Sequence, residues 1–363
     1  MSDYRITVID SPGEWEKLSG PWKDLLEKSS SATIFLTWKW LSSWAECYLN
    51  ERRKLFILAV YCKDELIGIA PWCIHHIPLK FFTFKQIEFL GGPEAGSDYL
   101  DIIIKRGKEK EVTLCIYDFL MNGVPARWDR LMLRDIPSDS LFLLHFLTHI
   151  EDEGKYVEIR KESFCPIVSL KEKHDSFLSQ ISSHRRQRFS RDLKILNRNG
   201  EIEHRYLPLK KDIGTTLAGF FSFYKEKKEL PDDKLYLLLE KFLSRCGDEE
   251  AVEIDLLKSQ EKTLAGLLHL RYRDTLSLYL MATDKSFNNK VSIGNILVGL
   301  CIERAKSLGL STYDFLKGSE HYKFHWANGG RSSISISFPQ KKIIPILFVI
   351  KKFLKNTAKI ILR

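Results

Sequence analysis

Residues 292–326 read SIGNILVGLCIERAKSLGLSTYDFLKGSEHYKFHW, and the fold is decided there. Ile296, Leu297, Leu300 and Ala305 recur at helical spacing, and Gly309 follows as a C-terminal cap. Thr312–Leu316 has the character of a short strand, ended by Gly318, and Glu320, His321, Tyr322, Lys323 and His325 come directly after it. Upstream, Leu276–Met281 (LSLYLM) is a second strand, rich in β-formers. Strand, helix and strand make a βαβ unit whose strands run parallel and connect right-handedly. Ligands of such sheets sit at the carboxyl ends of the strands, where Ser319–Lys323 falls.

Taken with YLMATDKSFNNKV ahead of it, the stretch resembles the CelD-like, cellulose-biosynthesis-associated branch of the GNAT acyltransferase superfamily. That branch shows a Tyr-rich strand, a Pro/Ser-Gly turn into a helix, a [FY]-D-[FL]-L-x-G strand end and a Y-K-x-x-W loop. Gly294, Tyr313–Gly318 and Tyr322–Trp326 stand at those places. FLTWKWLSSW (35–44), LIGIAPW (66–72), FLGGPEAGSDYLD (89–101) and SSHRRQRFSRDLKIL (182–196) fit in the same order, so the resemblance spans nearly the whole chain. It implies an α/β (α+β) fold of tandem GNAT-like domains, each a mixed β-sheet flanked by helices. The implied activity moves an acyl group from an acyl-CoA (acetyl-CoA) or acyl-carrier-protein thioester to an amine or hydroxyl. A small molecule, a sugar or a cell-envelope precursor would be the acceptor, with no metal. Two other functions stay open: a FemAB-like aminoacyl transferase using charged tRNA, and a non-catalytic polysaccharide-biosynthesis accessory protein that binds an anionic polymer or lipid.

Composition agrees with a globular enzyme. The 363 residues suffice for two domains with real cores, and 44% hydrophobic against 28% charged residues excludes a disordered chain. A net charge of +9 favours acidic partners without choosing among them. Seven dispersed cysteines without a CxxC pair predict reduced, buried thiols, Cys165 among them. The N-terminus lacks the pattern of a signal peptide and no apolar run reaches the length of a span, so a cytoplasmic protein is expected.

The halves repeat one order. Strands over 4–9, 55–61, 65–77, 87–90, 99–104 and 128–133 alternate with helices over 11–26, 35–49, 110–121 and 138–153. After an extended crossover at 155–168, a basic helix over 175–197 restarts the pattern, followed by strands at 201–206, 252–258 and 263–272 and helices at 213–228 and 235–246. The expected domains are 1–168, 169–335 and a basic amphipathic tail, 336–363. From Arg331 onward there are eight basic residues and no acidic one, which suits peripheral contact with an anionic membrane. A tail docked on the body is the alternative.

The candidate site residues follow from these placements. Tyr322 is the tyrosine just beyond the strand after the cofactor helix, the place where the superfamily's proton donor commonly lies, and a phenol stays protonated at neutral pH. Lys323 would direct positive charge to phosphate or thiolate, and Asp314 or Glu320 would orient the acceptor. Ser292, Gly294 and Asn295 open the cofactor helix, where free backbone N–H groups hold phosphate. Only the central glycine of the usual Gln/Arg-x-x-Gly-x-Gly/Ala loop remains. His184, Arg185 and Arg186 sit on a basic helix on which His184, Arg188, Arg191 and Arg198 share a face opposite Phe189, Leu193 and Leu196, and Arg offers bidentate donors to phosphate. A solvated helix face is the other reading of that pattern. Lys317 and Trp326 border the same loop, and Asp98 and Tyr99 match the family's S-D-[YF] element; these four are the remaining substrate candidates. The histidines show no ligand spacing for a metal.

Overall fold

The computed structural model describes residues 4–123, 128–171, 176–198, 202–209, 213–227, 233–246, 250–260, 262–287 and 291–340. The chain divides into two compact units. One holds Met1–Leu41, Tyr48–Glu162 and the chain from Ser333; the other holds Ser42–Cys47 and Ser163–Ser332.

The first unit is built on β1 (Tyr4–Ile9), β2 (Arg53–Cys62), β3 (Glu65–Pro78) and β4 (Thr83–Phe89), joined antiparallel in that order. Before β2 come α1 (Pro12–Lys17), α2 (Ser19–Glu27) and α3 (Trp38–Tyr48). The short β5 (Ile103–Ile104) pairs with β3, and α4 (Glu109–Asp118) leads to β6 (Arg130–Pro137) and α5 (Leu141–Asp152). β6 runs parallel to β4 over only Gln86↔Arg130 and Ile87↔Leu131. The central residues of β2 and β3 are buried on both faces, as a sheet covered by helices requires. α4 lies so close to β3 that a Cβ on Gly68 would overlap Val112 Cγ1. Trp22, Trp40, Trp72 and Trp128 are fully buried here.

The second unit begins within β7 (Glu158–Ser169) and continues through α6 (Ser183–Arg198), β8 (Ile202–Pro208), α7 (Ile213–Lys227), α8 (Asp233–Arg245), β9 (Glu250–Ser259), β10 (Lys262–Tyr272), β11 (Thr275–Thr283), α9 (Ile293–Ser307), β12 (Thr312–Asp314) and α10 (His321–Trp326). Its strand order is β7-β12-β11-β10-β9-β8, antiparallel except for the parallel β11–β12 pair. Mixed sheets flanked by helices thus build both units, as the sequence implied. β13 (Gly329–Pro339) pairs from Ser333 onward with β6 of the first unit. A boundary drawn at 335/336 therefore falls inside a strand, because the chain returns to complete the first sheet. The expected tail helix lies, from Lys341 on, outside the described residues.

Local chemistry explains the other differences from the sequence reading. The helix expected over 11–26 breaks at Leu18, since Pro21 has no N–H for the carbonyl of Lys17. The strand expected at 99–104 shrinks to two residues: Tyr99 has φ +57°, and Asp101 Oδ1 accepts from Ile102 N at 2.8 Å and Ser140 Oγ at 2.9 Å. The basic helix starts at Ser183 rather than 175, after a 3₁₀ turn at Phe177–Ser179. The Tyr322–Trp326 loop is a short helix.

α9 is buried on nearly every side, and Gly299 is where it is crossed most closely. A Cβ there would lie 2.5 Å from Phe189 Cε2 and 2.8 Å from Trp326 Cη2. Alanine at this position gains about 1 kcal/mol of helix propensity and loses about 1–3 kcal/mol to overpacking against two rings. Gly299→Ala is therefore expected to lower the melting temperature in calorimetry, although the same change in an exposed helix would raise it.

Candidate functional site in the second unit

β11 and β12 pair over Thr275↔Thr312, Leu276↔Tyr313 and Ser277↔Asp314, and no further. β11 runs on to Thr283 while β12 stops, so the two strands open into a wedge at their carboxyl ends. The register on the other side of β11 shifts: Leu268 faces Leu280 while His269 faces Leu278, which leaves Tyr279 as a bulge residue. A bulge at this place re-aims the strand's backbone groups.

α9 starts just after β11. Its N-cap, Ser292, is exposed, and its side chain makes no cap bond. Gly294 is buried, and a Cβ would come within 2.6 Å of Met281 Cε and 2.7 Å of Thr283 Cγ2. The glycine thus serves close helix–strand packing. Asn295 Oδ1 accepts from Trp326 Nε1 at 2.6 Å, which ties the end of α10 to the first turn of α9.

The turn beyond β12 is held by its own side chains. Asp314 Oδ1 accepts from Leu316 N at 2.7 Å, steadying Leu316 at φ +54°. Lys323, only 5% exposed, donates to Lys317 O at 2.7 Å and lies 3.0 Å from Glu320 Oε2. Gly318 has φ +142°, and a Cβ there would sit 2.5 Å from Lys323 Nζ. Lys323 is therefore a staple of this loop, because burial demands partners for an ammonium and the loop carbonyl and carboxylate supply them. That corrects its expected role as a free cation. Lys317 contributes its carbonyl to the staple, and Glu320 is the N-cap of α10. Trp326, 2% exposed, packs edge-on to Phe189 at 5.6 Å and fills the core.

Tyr322 is partly buried, with its ring 6.1 Å from that of Phe315. Burial, and secondarily the Glu320 charge, push its phenol well above the ordinary tyrosine value, so it is protonated at neutral pH. On α6, His184 and Arg186 are exposed and Arg185 is half-buried. Arg188 lies 3.9 Å and Arg191 3.0 Å from Asp192. His325 on α10 is held below the usual histidine pKa by its burial and then by the nearby charges of Arg185, Arg188, His321 and His184. α6 and α10 thus bring basic side chains together; the sequence pattern shows the α6 half, Arg188 included, but not its meeting with His325.

A second feature escaped the sequence entirely. Beneath α9, Arg304 Nη1 is 2.8 Å from Glu253 Oε2 and Nη2 is 2.8 Å from Asp255 Oδ2. His204 Nε2 approaches Asp255 Oδ1 at 2.8 Å, His269 Nδ1 approaches Oδ2 at 3.2 Å, and His269 Nε2 is 2.9 Å from the Tyr313 hydroxyl. Glu253, Asp255, His269 and Tyr313 are fully buried. Its signal was the period-2 placing of Glu253 and Asp255 in an otherwise apolar strand. Among the described residues, His204, Asp255 and Cys301 bring metal-ligating atoms within 4.8 Å of one another. A cation fits poorly: the Arg304 guanidinium already neutralises Asp255, and burial holds the Cys301 thiol well above its ordinary pKa.

In the first unit, a cavity of about 260 Å³ opens where β4 and β6 diverge, lined in part by Arg53, His75, Gln86, Glu88, Met132 and Asp135. Asp98 and Tyr99, at 1% and 4% exposure, are buried and outside its lining. Their segment meets the cavity wall through Leu100 N, which donates to Asp135 O at 3.1 Å.

A wedge between two parallel strands, a bulge in the first of them and a helix entering from it are the marks of a GNAT-type transferase fold. Residues 183–324 match the sequence family described as the acetyltransferase (GNAT) domain. Comparison by sequence with curated proteins gives no match. Among solved structures the chain is similar to FemX, at 13% identity and a TM-score of 0.61, over 95% of this chain and 99% of that one. It is similar to a tandem GNAT protein from the clavulanic acid biosynthesis pathway, at 7% identity and TM-score 0.51, over 93% and 99%. The C-terminal DUF2156 domain of a protein described as a lysylphosphatidylglycerol synthetase, from Agrobacterium fabrum, follows at 9% identity and TM-score 0.50, over 94% and 96%. At these identities the likeness is one of fold: tandem GNAT-like units. Nothing in it singles out the CelD-like branch.

The buried network has a direct thermodynamic consequence. Hydrogen bonds from His204 and His269 and the charge of Arg304 hold the Asp255 carboxyl far below its ordinary range despite burial. A depressed folded pKa contributes stability that is present above the unfolded value of about 3.9 and is lost as pH falls below it. Asp255→Asn should therefore flatten the acid limb of a stability–pH curve measured by urea unfolding. Arg304→Met, which takes the shared cation from two buried carboxylates and leaves Glu253 only Arg271 at 3.3 Å, should cost about 3–5 kcal/mol at neutral pH.

Proposed function

We propose that the second unit transfers an acyl group from a thioester, acyl-CoA or an acyl-carrier protein, to an amine or hydroxyl of a small-molecule, sugar or cell-envelope acceptor. The observation that carries this reading is the wedge between β11 and β12, entered by the uncapped α9 terminus on one side and bordered by Tyr322 beyond the other. Phosphates of the donor would be held by the first-turn amides of α9, the Ser292 hydroxyl and the α6–α10 cluster. The acceptor's lone pair attacks the thioester carbonyl carbon, and collapse of the tetrahedral adduct breaks the C–S bond and leaves the electron pair on sulfur. Tyr322, kept protonated by burial, donates its proton toward that sulfur. The proton lost by the acceptor passes to the solvent-facing Glu320 carboxylate, whose side chain is 57% exposed. No covalent enzyme intermediate is required, and positioning supplies much of the rate.

A second reading is favoured by one observation. The grouping of His184, Arg185, Arg188, His321 and His325 suits a polyanionic donor, as in a FemAB-like transferase that uses aminoacyl-tRNA. Turnover with acyl-CoA, and with charged tRNA, separates the two. Ligand binding without either turnover supports the accessory role.

Two variants test the roles assigned. Arg185→Ala with Arg188→Ala should raise the donor Kd by about 10-fold or more, steepest at low salt, with the melting temperature nearly unchanged. Unchanged donor affinity removes the cluster from the site. Tyr322→Phe keeps the ring and removes the proton; kcat should fall by about two orders of magnitude while donor Kd and thermal stability hold. Full turnover in that variant removes Tyr322 from the chemistry.

A further inference from the structure

The β3–β4 hairpin of the first unit ends in residues that a water-facing turn does not ordinarily carry. Its tip reads Pro78-Leu-Lys-Phe-Phe-Thr83, closed by Leu79 N donating to Phe82 O at 2.9 Å. Phe81 is 86%, Phe82 59% and Leu79 48% exposed, and Phe81 is the most exposed large apolar residue among the described residues. Scattered single exposures are ordinary; three on one tip are not.

The tip is set among positive charge. Lys80 Nζ lies 5.3 Å from the Phe81 ring centroid, and His76, on the last turn of β3 before the tip, faces Lys85 and Lys54. The nearby carboxylate of Asp129 is spent on Lys85 N at 2.8 Å. Asp129 N donates to Lys85 O at 2.8 Å, and Gln340 N donates to Asp129 O at 3.1 Å, so the end of β13 lies beside the base of the hairpin. The 23 residues that follow Gln340 contain seven Lys and Arg, no Asp or Glu, and many Ile, Leu and Phe.

We propose that this hairpin tip, with the lysines around it, docks the protein on an anionic phospholipid membrane. A tip of three side chains is far too small for a stable protein interface, which takes roughly 800 Å² from each partner. A fluid bilayer accepts an isolated aromatic wedge at the headgroup level, and Lys and Arg around it meet anionic headgroups. Two weak signals placed together, one apolar and one electrostatic, give the stable attachment that neither gives alone. No helix among the described residues is long and apolar enough to cross a membrane, so the contact is made from the surface. The inference is independent of the transfer reaction.

Vesicle flotation of the full chain tests it, with phosphatidylcholine vesicles and with phosphatidylcholine–phosphatidylglycerol vesicles. The protein should float with the anionic vesicles and not with the neutral ones. Phe81→Ser with Phe82→Ser should lower the partition coefficient by about 10-fold or more, with an unchanged melting curve, since both rings are already in water. Removal of the chain after Gln340 should leave the effect of the double-serine change in place, with a smaller salt dependence. Equal flotation of the double-serine variant and the parent overturns the role of the tip, including the case in which the tail alone binds. Failure of the parent to float, with self-association in sedimentation velocity that the double-serine change abolishes, assigns the tip to a second copy of this chain and also overturns the proposal.

Discussion

Three residue pairs join β11 to β12, and the brevity of that contact governs the end of the second sheet. Parallel strands that pair along their length leave no room between them. Strands that pair at Ser277↔Asp314 and then separate expose β11 backbone on one side and a strand terminus on the other. The separation needs a filler at its closed end and a brace at its open end. Tyr313, fully buried and bonded to His269, fills the first place. The Asp314–Lys323 turn braces the second, with Asp314 bonded to Leu316 N and Lys323 to Lys317 O and Glu320. Rigid walls around an open wedge are what a transferase that works by positioning needs.

The charged network beneath α9 belongs to this bracing. Ion pairs with no access to water recover their desolvation only through close geometry and several bonds each, and Arg304 spans two carboxylates at 2.8 Å. Because Arg304 stands on α9 while Glu253 and Asp255 stand on β9, the network fixes the helix against the sheet in rotation as well as in depth. Apolar packing alone, which is non-directional, would hold depth better than rotation. The angle at which the first turn of α9 enters the wedge depends on both.

What could be read from the sequence was set by range. Periodicity gave the helix over α9, the strands around it and the tandem order, since those patterns are local. Boundaries failed where a single residue changed the backbone, as at Pro21 or at Tyr99 with its positive φ. Tyr322 was found by its place in the chain, but the commitment of Lys323 to Lys317 O and of Trp326 to Asn295 depends on how a loop folds back, which no spacing reveals. The meeting of α6 with His325 joins residues about 140 positions apart, brought together by packing such as that of Phe189 on Trp326. The β13 swap into the first sheet was hidden for a related reason: RSSISISFP reads as a strand of either unit.

The two units share one topology and differ in chemistry at the corresponding helix start. In the first, β4 and β6 pair over two residues before diverging, and α4 follows. The first turn of α4 carries Glu109 and Glu111, and Glu109 Oε2 accepts from Gly107 N at 2.8 Å. Its positive end is already met by its own carboxylates, which stabilise the helix dipole and repel an incoming anion. The corresponding start of α9 has no acidic residue in its first turn and no side-chain cap. An uncapped terminus is a cost in stability of the order of 1 kcal/mol, and it leaves backbone donors for a ligand to satisfy. Both units open the wedge and neither helix start has a side-chain cap; the α9 start differs in carrying no acidic residue in its first turn.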